Sequence, residues 1–371
     1  MDLENNINEN KPIKLLSTRA WRTYLGGKLI DEMYGLENAV DSQFPEEWIM
    51  SVVSARNAGR EHIKDEGLSK VAIPDIDVSL KELIDENPEK ILGKNHFERF
   101  GNQTGVLVKI IDSAERLTVQ VHPDRKKAKE LFNSNYGKTE CWHILGGREI
   151  NGEQPNVYVG FKPGVTREKW KQLFEEQDIQ GMLDCLHKFY VKPGDTFLLE
   201  GGVPHAIGQG CFLVEIQEPT DYTIRIERTS PSGLQINDFM CHQGLGFEKM
   251  FDCFNYEGFT REETLQKWYI APTVLMNSEE GKETELIGYN RIPFFKMSMI
   301  EANSEMEVKG EGVFSGLFVV SGSGEIVTNT DKQPCKRGEQ FFIPANVQNY
   351  TIRNQNNEPL KILKLFGPKV D

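Results

Sequence analysis

FYVKPGDTFLLEGGVPHAIG, residues 189–208, contains two short apolar segments that are separated by turn-forming residues. The KPGD turn at 192–195 combines Pro, which fixes φ, with Gly, which tolerates positive φ. The TFLL segment at 196–199 has the length and composition of a buried strand, and Gly-Gly-Val-Pro at 201–204 forms a second turn before His205. This stretch therefore predicts two short strands joined by a tight loop.

The same pattern returns 144 residues later without a gap. KPGDTFLL at 192–199 leads to His205, and KRGEQFFI at 336–343 leads to Asn349. Both copies carry a turn glycine, an acidic residue and an apolar strand, followed by a loop and a second strand. Both resemble the turn-and-strand unit of the cupins. This resemblance implies a mainly β protein of two cupin (jelly-roll) modules with a small helical insert, in which Asn349 replaces the histidine of the first module.

Other segments support the mainly β class. Runs rich in Val, Ile and Thr alternate with Gly and Pro turns, which is typical of a sandwich or barrel and not of a parallel α/β sheet. These runs are 105–112, 116–123, 141–145, 157–161, 211–218 and 222–227. Ser79 followed by Glu82 has the spacing of a capping box and predicts the start of a short helix.

The chain divides into three predicted parts. The polar residues 1–12 predict a disordered tail, and residues 13–256 predict a catalytic, metal-binding cupin domain. That domain would include a helical insert at about 166–186, or two short helices, and a connecting segment at about 231–256. Residues 257–371 predict a C-terminal cupin-like domain without a metal site.

Composition excludes several classes of function. The 371 residues carry 43 basic and 56 acidic side chains, and the net charge of −13 argues against a nucleic-acid partner. No stretch approaches the roughly 20 apolar residues of a membrane span, and the first dozen residues lack a secretion signal. The six cysteines include no C-x-x-C pair, which is typical of reduced thiols and predicts a cytoplasmic protein.

Polar side chains interrupt two of the predicted strands. Alternation places Thr118, Gln120 and His122 on one face of a strand, which points either to solvent or into a polar cavity. Lys138 and Glu140 share a face at the start of the next strand, where an exposed ion pair is the simpler interpretation. His205 follows a Gly-rich turn, and a structural histidine is the alternative there.

Taken together, two histidines, one carboxylate and one amide on adjacent strands form a mixed nitrogen and oxygen set. Such a set suits Zn²⁺, Mn²⁺ or Fe²⁺, and the absence of thiolates disfavours a closed structural zinc site. Glutamine is an uncommon zinc ligand, so Gln120 is the weakest member on chemistry alone.

Four stretches carry a resemblance to a known family: VQVHPD at 119–124, YGKTECW at 136–142, GVPHAIG at 202–208 and EIQEPTDYTIRIE at 215–227. They resemble the signature stretches of the type I phosphomannose isomerases, metal-dependent cupin enzymes, and they occur in the same order. The resemblance implies that one zinc ion, or another divalent ion, binds per chain. Its implied ligands are Gln120, His122, Glu140 and His205.

The resemblance also implies roles for three further residues. Arg225 matches an active-site arginine, Lys138 a catalytic and substrate-binding lysine, and Thr118 a position that helps to hold the substrate phosphate. The sequence departs from the family where serine is more usual at 118, and in the run Thr-Asp-Tyr-Thr-Ile-Arg at 220–225. These departures bear on substrate preference.

The expected function is an aldose–ketose isomerase of carbohydrate metabolism that interconverts mannose 6-phosphate and fructose 6-phosphate through a cis-enediol. The expected partner is a phosphorylated hexose, and the sequence indicates no oligomeric state. Lys138, Glu215 and Asp221 are all candidates for the base that transfers the proton. The alternatives are a cupin iron-dependent oxygenase and a non-catalytic sugar-binding protein with two cupin modules.

Overall fold

The computed structural model describes residues 10–57 and 59–370. The predicted tail at 1–12 lies mostly outside these ranges, and of its last residues Pro12 accepts a 2.6 Å hydrogen bond from Gln333 through its carbonyl oxygen. Within the described ranges, the chain forms four sheets whose strand pairs are antiparallel.

The first strand, β1 (Ile13–Leu15), pairs with the second half of the chain, and the other strands of the first half form two sheets that face each other. They are β2 (Arg19–Ala20), β3 (Glu46–Ile49), β4 (Leu107–Asp112), β5 (Gln120–Val121), β6 (Glu140–Gly147), β7 (Asn156–Phe161), β8 (Leu186–Tyr190), β9 (Thr196–Leu199), β10 (His205–Ile207), β11 (Cys211–Gln217) and β12 (Ile224–Arg225). One sheet has the order β2-β3-β4-β11-β6-β9 and the other β12-β5-β10-β7-β8. Trp142 and Leu213 of the first sheet share a hydrophobic cluster with Val159 and Ile207 of the second, so the two sheets pack face to face.

Short helices connect and flank these strands. They are α1 (Lys28–Met33), α2 (Leu80–Glu86), α3 (Pro88–Leu92), α4 (Lys94–Phe100), α5 (Arg125–Phe132), α6 (Arg167–Glu176), α7 (Ile179–Asp184), α8 (Asp238–His242) and α9 (Arg261–Trp268), with a 3-10 helix at Lys249–Cys253. The capping box is confirmed, because the Ser79 hydroxyl accepts from the Glu82 backbone N–H and the Glu82 carboxylate accepts from that of Ser79.

The helical insert consists of α6 and α7. Its apolar side packs against the 3-10 helix, since Trp170, Phe174 and Met182 share a cluster with Phe251 and Cys253. The insert therefore covers the outer side of the five-stranded sheet without entering the space between the sheets.

The second half repeats the two-sheet arrangement. Its strands are β13 (Thr273–Asn277), β14 (Gly281–Ile287), β15 (Lys296–Ala302), β16 (Glu305–Lys309), β17 (Ser315–Ser321), β18 (Ser323–Val327), β19 (Lys332–Lys336), β20 (Gln340–Ile343), β21 (Asn349–Asn354) and β22 (Leu360–Phe366). The sheet orders are β1-β20-β17-β22-β15-β14-β13 and β16-β21-β18-β19. The first strand of the chain thus completes a sheet of the second module, with Ile13 opposite Phe342.

The internal repeat of the sequence is a structural repeat. Gly194 and Gly338 both adopt positive φ, at 95° and 88°, and lead into β9 and β20. The acidic residue after each glycine accepts from a backbone N–H, Asp195 from Lys192 at 2.9 Å and Glu339 from Lys336 at 3.1 Å. The predicted fold class, mainly β with cupin modules, is confirmed.

The two modules share a hydrophobic core. Val108 and Ile216 of the first module lie in the same buried cluster as Phe318 and Leu363 of the second. A buried glutamine, Gln340, also bonds across the boundary, donating to Glu47 at 3.1 Å and accepting from the Met50 backbone at 3.0 Å. The first module therefore rests on the second through packed side chains and not through a flexible linker.

Candidate active site

The predicted ligand residues converge at one end of the first module. On neighbouring strands β5 and β10, Gln120 lies directly opposite His205, and His122 follows β5 by one residue. Glu140 begins β6. The side chains of His122, Glu140 and His205 are almost fully buried, which excludes the solvent-facing alternative for this part of the chain.

One detail of the predicted arrangement is wrong. The sequence placed all four residues on adjacent strands, but Glu140 belongs to the opposite sheet. From β9 to β12, consecutive strands alternate between the two sheets, and β5 and β6 do the same. The cluster therefore lies between the sheets, where groups from both can meet.

Backbone contacts fix which nitrogen of each histidine faces the cluster. His122 Nδ1 lies 2.8 Å from the Tyr222 carbonyl oxygen, and His205 Nδ1 lies 2.8 Å from that of Val203. A carbonyl oxygen only accepts hydrogen bonds, so each Nδ1 carries the proton and each Nε2 presents a lone pair. The two Nε2 atoms are 3.2 Å apart, and lie 3.2 and 3.3 Å from the two oxygens of Glu140.

This donor set fits a divalent metal ion. Ligand atoms of His122, Glu140 and His205 all lie within 4.8 Å of one another, and Glu140 Oε1 is buried without a hydrogen-bond partner. Facing lone pairs and an unsatisfied carboxylate oxygen are unfavourable unless a cation lies between them. Gln120 completes the group, with its amide nitrogen 3.4 Å from His205 Nε2.

Lys138 belongs to the same cluster and is not a surface residue. Its buried Nζ lies 2.6 Å from Glu140 Oε2 and 2.8 Å from His122 Nε2. The exposed Lys–Glu pair considered from the sequence is therefore excluded. Lys138 instead brings an ammonium group to the boundary between the cluster and the neighbouring cavity.

Burial and charge keep the cluster in its metal-binding protonation state. Burial, together with the positive charge of Lys138, lowers the pKa of His122 to about 3, and burial lowers the pKa of His205. Burial alone would raise the pKa of Glu140, but Lys138 and the two histidines lower it well below its usual range. Neutral imidazoles and a carboxylate are the forms that bind metal.

Acidification should destabilise the metal-free protein. Burial lowers the pKa of His143 to about 4 as well, whereas both His122 and His143 should titrate near 6.5 in the unfolded chain. The unfolded state then binds more protons between pH 6.5 and 4, so stability falls as pH falls. The free energy of unfolding should fall by about 2 kcal/mol for each of these histidines between pH 7 and pH 5.

Urea unfolding of EDTA-treated protein at these two pH values measures this loss. A His143→Asn variant should lose part of the pH dependence, whereas substitution of the exposed His62 should leave it intact. Equal stability at pH 7 and pH 5 would contradict the proposed burial of neutral histidines.

A cavity lined mostly by polar and charged side chains adjoins the cluster. It reaches the cluster through Gln120 and Lys138, which line both. Its remaining lining residues are Arg22, Thr23, Tyr24, Glu46, Lys109, Ile111, Leu117, Thr118, Glu215, Asp221, Thr223, Arg225 and Ser230. A cleft with convergent polar groups of this kind is typical of a small-molecule site.

Thr118 and Arg225 both lie in this cavity. Thr118 is buried, and Arg225 lies opposite Gln120 in the pairing of β12 with β5. Arg225 does not pair with the nearby Glu227, which binds Arg116 through both oxygens at 2.6 and 2.8 Å. Arg225 donates instead to the Met240 carbonyl oxygen at 3.0 Å.

A network of buried, charged side chains lines part of the cavity. Lys109 and Glu215 lie opposite each other on β4 and β11, with Nζ 3.0 Å from Oε1. The other oxygen of Glu215 accepts from Trp142 Nε1 at 3.0 Å. Glu46 contacts Arg22 at 2.8 Å and lies 4.0 Å from Lys109.

Sequence reasoning missed Lys109, Glu46 and Arg22. Lys109 carries a detectable signal, because it is a single charge in the middle of the apolar run GVLVKIID. A buried charge in such a run must be paired, and Glu215 in CFLVEIQE was its available partner. Arg22 carries no comparable signal, since its partners are distant in sequence.

The positions of Glu140 and His205 can be compared with their equivalents in the second module. In the first module, Glu140 lies opposite Leu199. The repeat makes Ile343 the equivalent of Leu199, and Ser315 lies opposite Ile343. Ser315 therefore occupies the position of Glu140. Asn349, at the position of His205, is exposed. Serine and asparagine therefore occupy two of the ligand positions.

We expect Asn349→Ala to leave turnover and metal content close to wild type. Because Asn349 is exposed and does not line the cavity, its effect on stability should stay within about 0.5 kcal/mol. Steady-state kinetics and metal analysis measure both quantities. A metal ion found beside Asn349 in a crystal structure would contradict the asymmetry between the modules.

Within the part of the chain that the structure describes, no helix has the length and apolar character needed to cross a membrane.

Two family models match the sequence. The model described as "Phosphomannose isomerase type I, catalytic domain" matches residues 63–140, and that described as "Mannose-6-phosphate isomerase, cupin domain" matches residues 287–357. The first match ends at Glu140, a predicted ligand, and the second lies within the second module.

Curated proteins and solved structures are also similar. "Probable mannose-6-phosphate isomerase GmuF" of Bacillus subtilis is 30% identical over 263 residues, which cover 70% of this chain and 76% of the relative. "Mannose-6-phosphate isomerase" of Streptococcus mutans is 26% identical over 262 residues, covering 69% and 74%. The crystal structure of the Bacillus subtilis mannose 6-phosphate isomerase has a TM-score of 0.72 at 22% identity, covering 95% of this chain and 99% of that one. It shares the fold.

Proposed function

Because the chain belongs to the type I phosphomannose isomerase family, we propose that it interconverts mannose 6-phosphate and fructose 6-phosphate through a cis-enediol. The observation that carries the proposal is the buried cluster of His122, Glu140 and His205, which opens onto a cavity lined by charged side chains of both signs. The following paragraphs derive what the individual side chains do in this reaction.

We propose that the cluster holds one zinc ion, with Gln120 as a further ligand. The N/O donor set and the unsatisfied oxygen of Glu140 support this assignment. When bound, such an ion supplies a Lewis acid that polarises oxygen atoms of the sugar.

The charges around the cavity balance one another. Four cations, Arg22, Lys109, Lys138 and Arg225, oppose four carboxylates, Glu46, Glu140, Glu215 and Asp221. A divalent ion and a phosphate dianion would therefore enter as a compensating pair. This balance supports a phosphorylated sugar as substrate in preference to a neutral one.

Isomerisation moves one proton between C1 and C2 of the open-chain sugar, and we assign this transfer to Glu215. Burial and the charge of Glu140 raise the pKa of Glu215, which makes it a stronger base. Burial alone would also raise the pKa of Asp221, but nearby cations, led by Arg22, lower it to about 2. Asp221 is thus the weaker base.

Lys138 and Arg225 act on the oxygen atoms at the reacting carbons. Lys138 would donate to a substrate oxygen from its place between the cluster and the cavity. Arg225 would stabilise the negative charge that develops on oxygen as the proton leaves carbon. Both groups are held in place before substrate binds.

The phosphate would bind at the hydroxyl-lined part of the cavity. Thr118, Thr223 and Ser230 line it and are buried, and each can donate one hydrogen bond from its hydroxyl group. Thr118 thus keeps the donor that serine more often supplies in the family.

We also propose that the protein works in the cytoplasm. All six cysteines are unpaired, buried thiols, which is typical of proteins in a reducing compartment.

The decisive experiment combines metal analysis with a coupled assay for fructose 6-phosphate. Mannose 6-phosphate should be converted by the zinc-loaded protein, and unphosphorylated mannose should react at least about a hundredfold less efficiently, because it lacks the remote binding energy of the phosphate. Oxygen consumption with bound iron and no isomerisation would favour the oxygenase. Sugar binding without turnover would favour a non-catalytic protein.

A further inference from the structure

Arg22 is held in one position by contacts on several sides. Its Nε donates to Glu46 Oε2 at 2.8 Å, and its Nη1 donates to Asn57 Oδ1 at 3.1 Å and lies 3.4 Å from Asp221 Oδ2. The guanidinium carbon also lies 4.9 Å from the centre of the Trp48 ring. These contacts leave the guanidinium little freedom to rotate.

One donor of this fixed group is unused. Arg22 is only 7% exposed, and its Nη2 is buried without a hydrogen-bond partner. The residue lines the cavity beside the candidate metal cluster. A buried donor of a charged group loses its hydration on folding and regains nothing unless a ligand supplies an acceptor.

We propose that Arg22 is a substrate-binding residue whose Nη2 donates to a hydroxyl oxygen of the sugar. The inference rests on the proposed isomerase function and adds a recognition residue that the sequence did not indicate. It concerns the neutral part of the substrate and not its phosphate.

The charges around Arg22 favour a hydroxyl group over a phosphate. Glu46 and Asp221 already lie within 3.4 Å of the guanidinium and neutralise it. A phosphate dianion placed here would be repelled by both carboxylates. A hydroxyl group can accept from Nη2 and donate to Asp221 at the same time, so it satisfies both.

Arg225 provides the contrast. Its guanidinium donates to the backbone carbonyl oxygens of Thr223 and Met240, and no carboxylate in the described ranges forms an ion pair with it. Its charge is therefore available to an anionic oxygen. The two arginines would therefore bind different parts of the substrate, Arg22 a neutral hydroxyl group and Arg225 the oxygen atom on which negative charge develops.

The test compares Arg22→Lys with wild type in two measurements. The kcat/KM for mannose 6-phosphate should fall about 10- to 100-fold, mainly through KM, because the donors of a lysine ammonium radiate from one atom and cannot occupy the Nε and Nη2 positions of Arg22 together. The inhibition constant of inorganic phosphate should change less than about twofold. Arg60→Lys serves as the matched control, since Arg60 pairs with Glu66 outside the cavity, and it should behave as wild type.

Melting temperature and zinc content separate binding from structural damage. Both should stay near wild type in Arg22→Lys, and Arg22→Gln should show the same kinetic pattern if it folds. A phosphate inhibition constant that rises by the same factor as KM would overturn the hydroxyl assignment, as would unchanged kinetics. A lowered zinc content with parallel loss of kcat would show a structural role instead. Wild-type protein without isomerase activity would refute the proposed function itself.

Discussion

The His122→Ala/His205→Ala double variant is expected to be folded but metal-poor, with isomerase activity reduced more than about a thousandfold. The two imidazoles supply the neutral nitrogen donors of the cluster, and Glu140 with Gln120 alone cannot hold a zinc ion of ordinary affinity. Loss of the Lewis acid removes several kcal/mol of transition-state stabilisation. Metal analysis and the coupled assay on the same preparation measure both losses.

A matched histidine variant controls for the loss of a buried ring. His187 is also buried, but its Nε2 contacts the Phe259 carbonyl oxygen and the residue is not part of the cluster. His187→Ala should keep its metal and most of its activity. Full metal occupancy in the double variant would overturn the ligand assignment.

Arg225→Ala should lower kcat by about 10²–10³, which is the usual cost of losing one group that stabilises a developing oxyanion. The side chain lies in the cavity and is oriented by backbone carbonyl oxygens, so its charge is fixed before the reaction begins. Arg225→Lys should also be poor, because a lysine ammonium does not reproduce the planar fork of donors. Metal content and melting temperature should remain near wild type in both variants.

Arg228 offers the comparison for this experiment. It lies three residues further along the chain, forms a partly exposed pair with Asp238 at 3.5 Å and does not line the cavity. Arg228→Ala should change kcat less than about twofold. If Arg225→Ala retains more than half of the wild-type kcat, its catalytic role must be withdrawn.

Local sequence patterns predicted the fold class because the relevant signals are short in range. The turn glycines at 194 and 338 predict the strands β9 and β20 that follow them, and the capping box at Ser79 predicts a helix. Each of these signals depends only on neighbouring residues. The residues of the candidate site were predicted from signature stretches, and the structure brings them together. Their roles as ligands remain a prediction.

Long-range contacts could not be predicted in the same way. No local pattern indicates that Glu140 faces the histidines from the opposite sheet, because strand order depends on the whole topology. Arg22 and Asp221 are 199 residues apart in the sequence, so no local pattern indicates that they are in contact. The buried charge network therefore depends on how the strands pack together and has no local pattern in the sequence.

The pairing of β1 with β20 determines when β1 can reach its folded position during synthesis of the chain. Lys14 on β1 binds Glu339, which lies 325 residues later in the chain. At a translation rate of about 5–20 residues per second, roughly 16–65 s pass between the synthesis of these two partners. During that interval Ile13 and Leu15 lack the strand that will cover them. The nascent chain thus carries β1 without its β20 partner until most of the chain has been made, and during that time only residues 70–72, which bond to β1 in the folded protein, can pair with it.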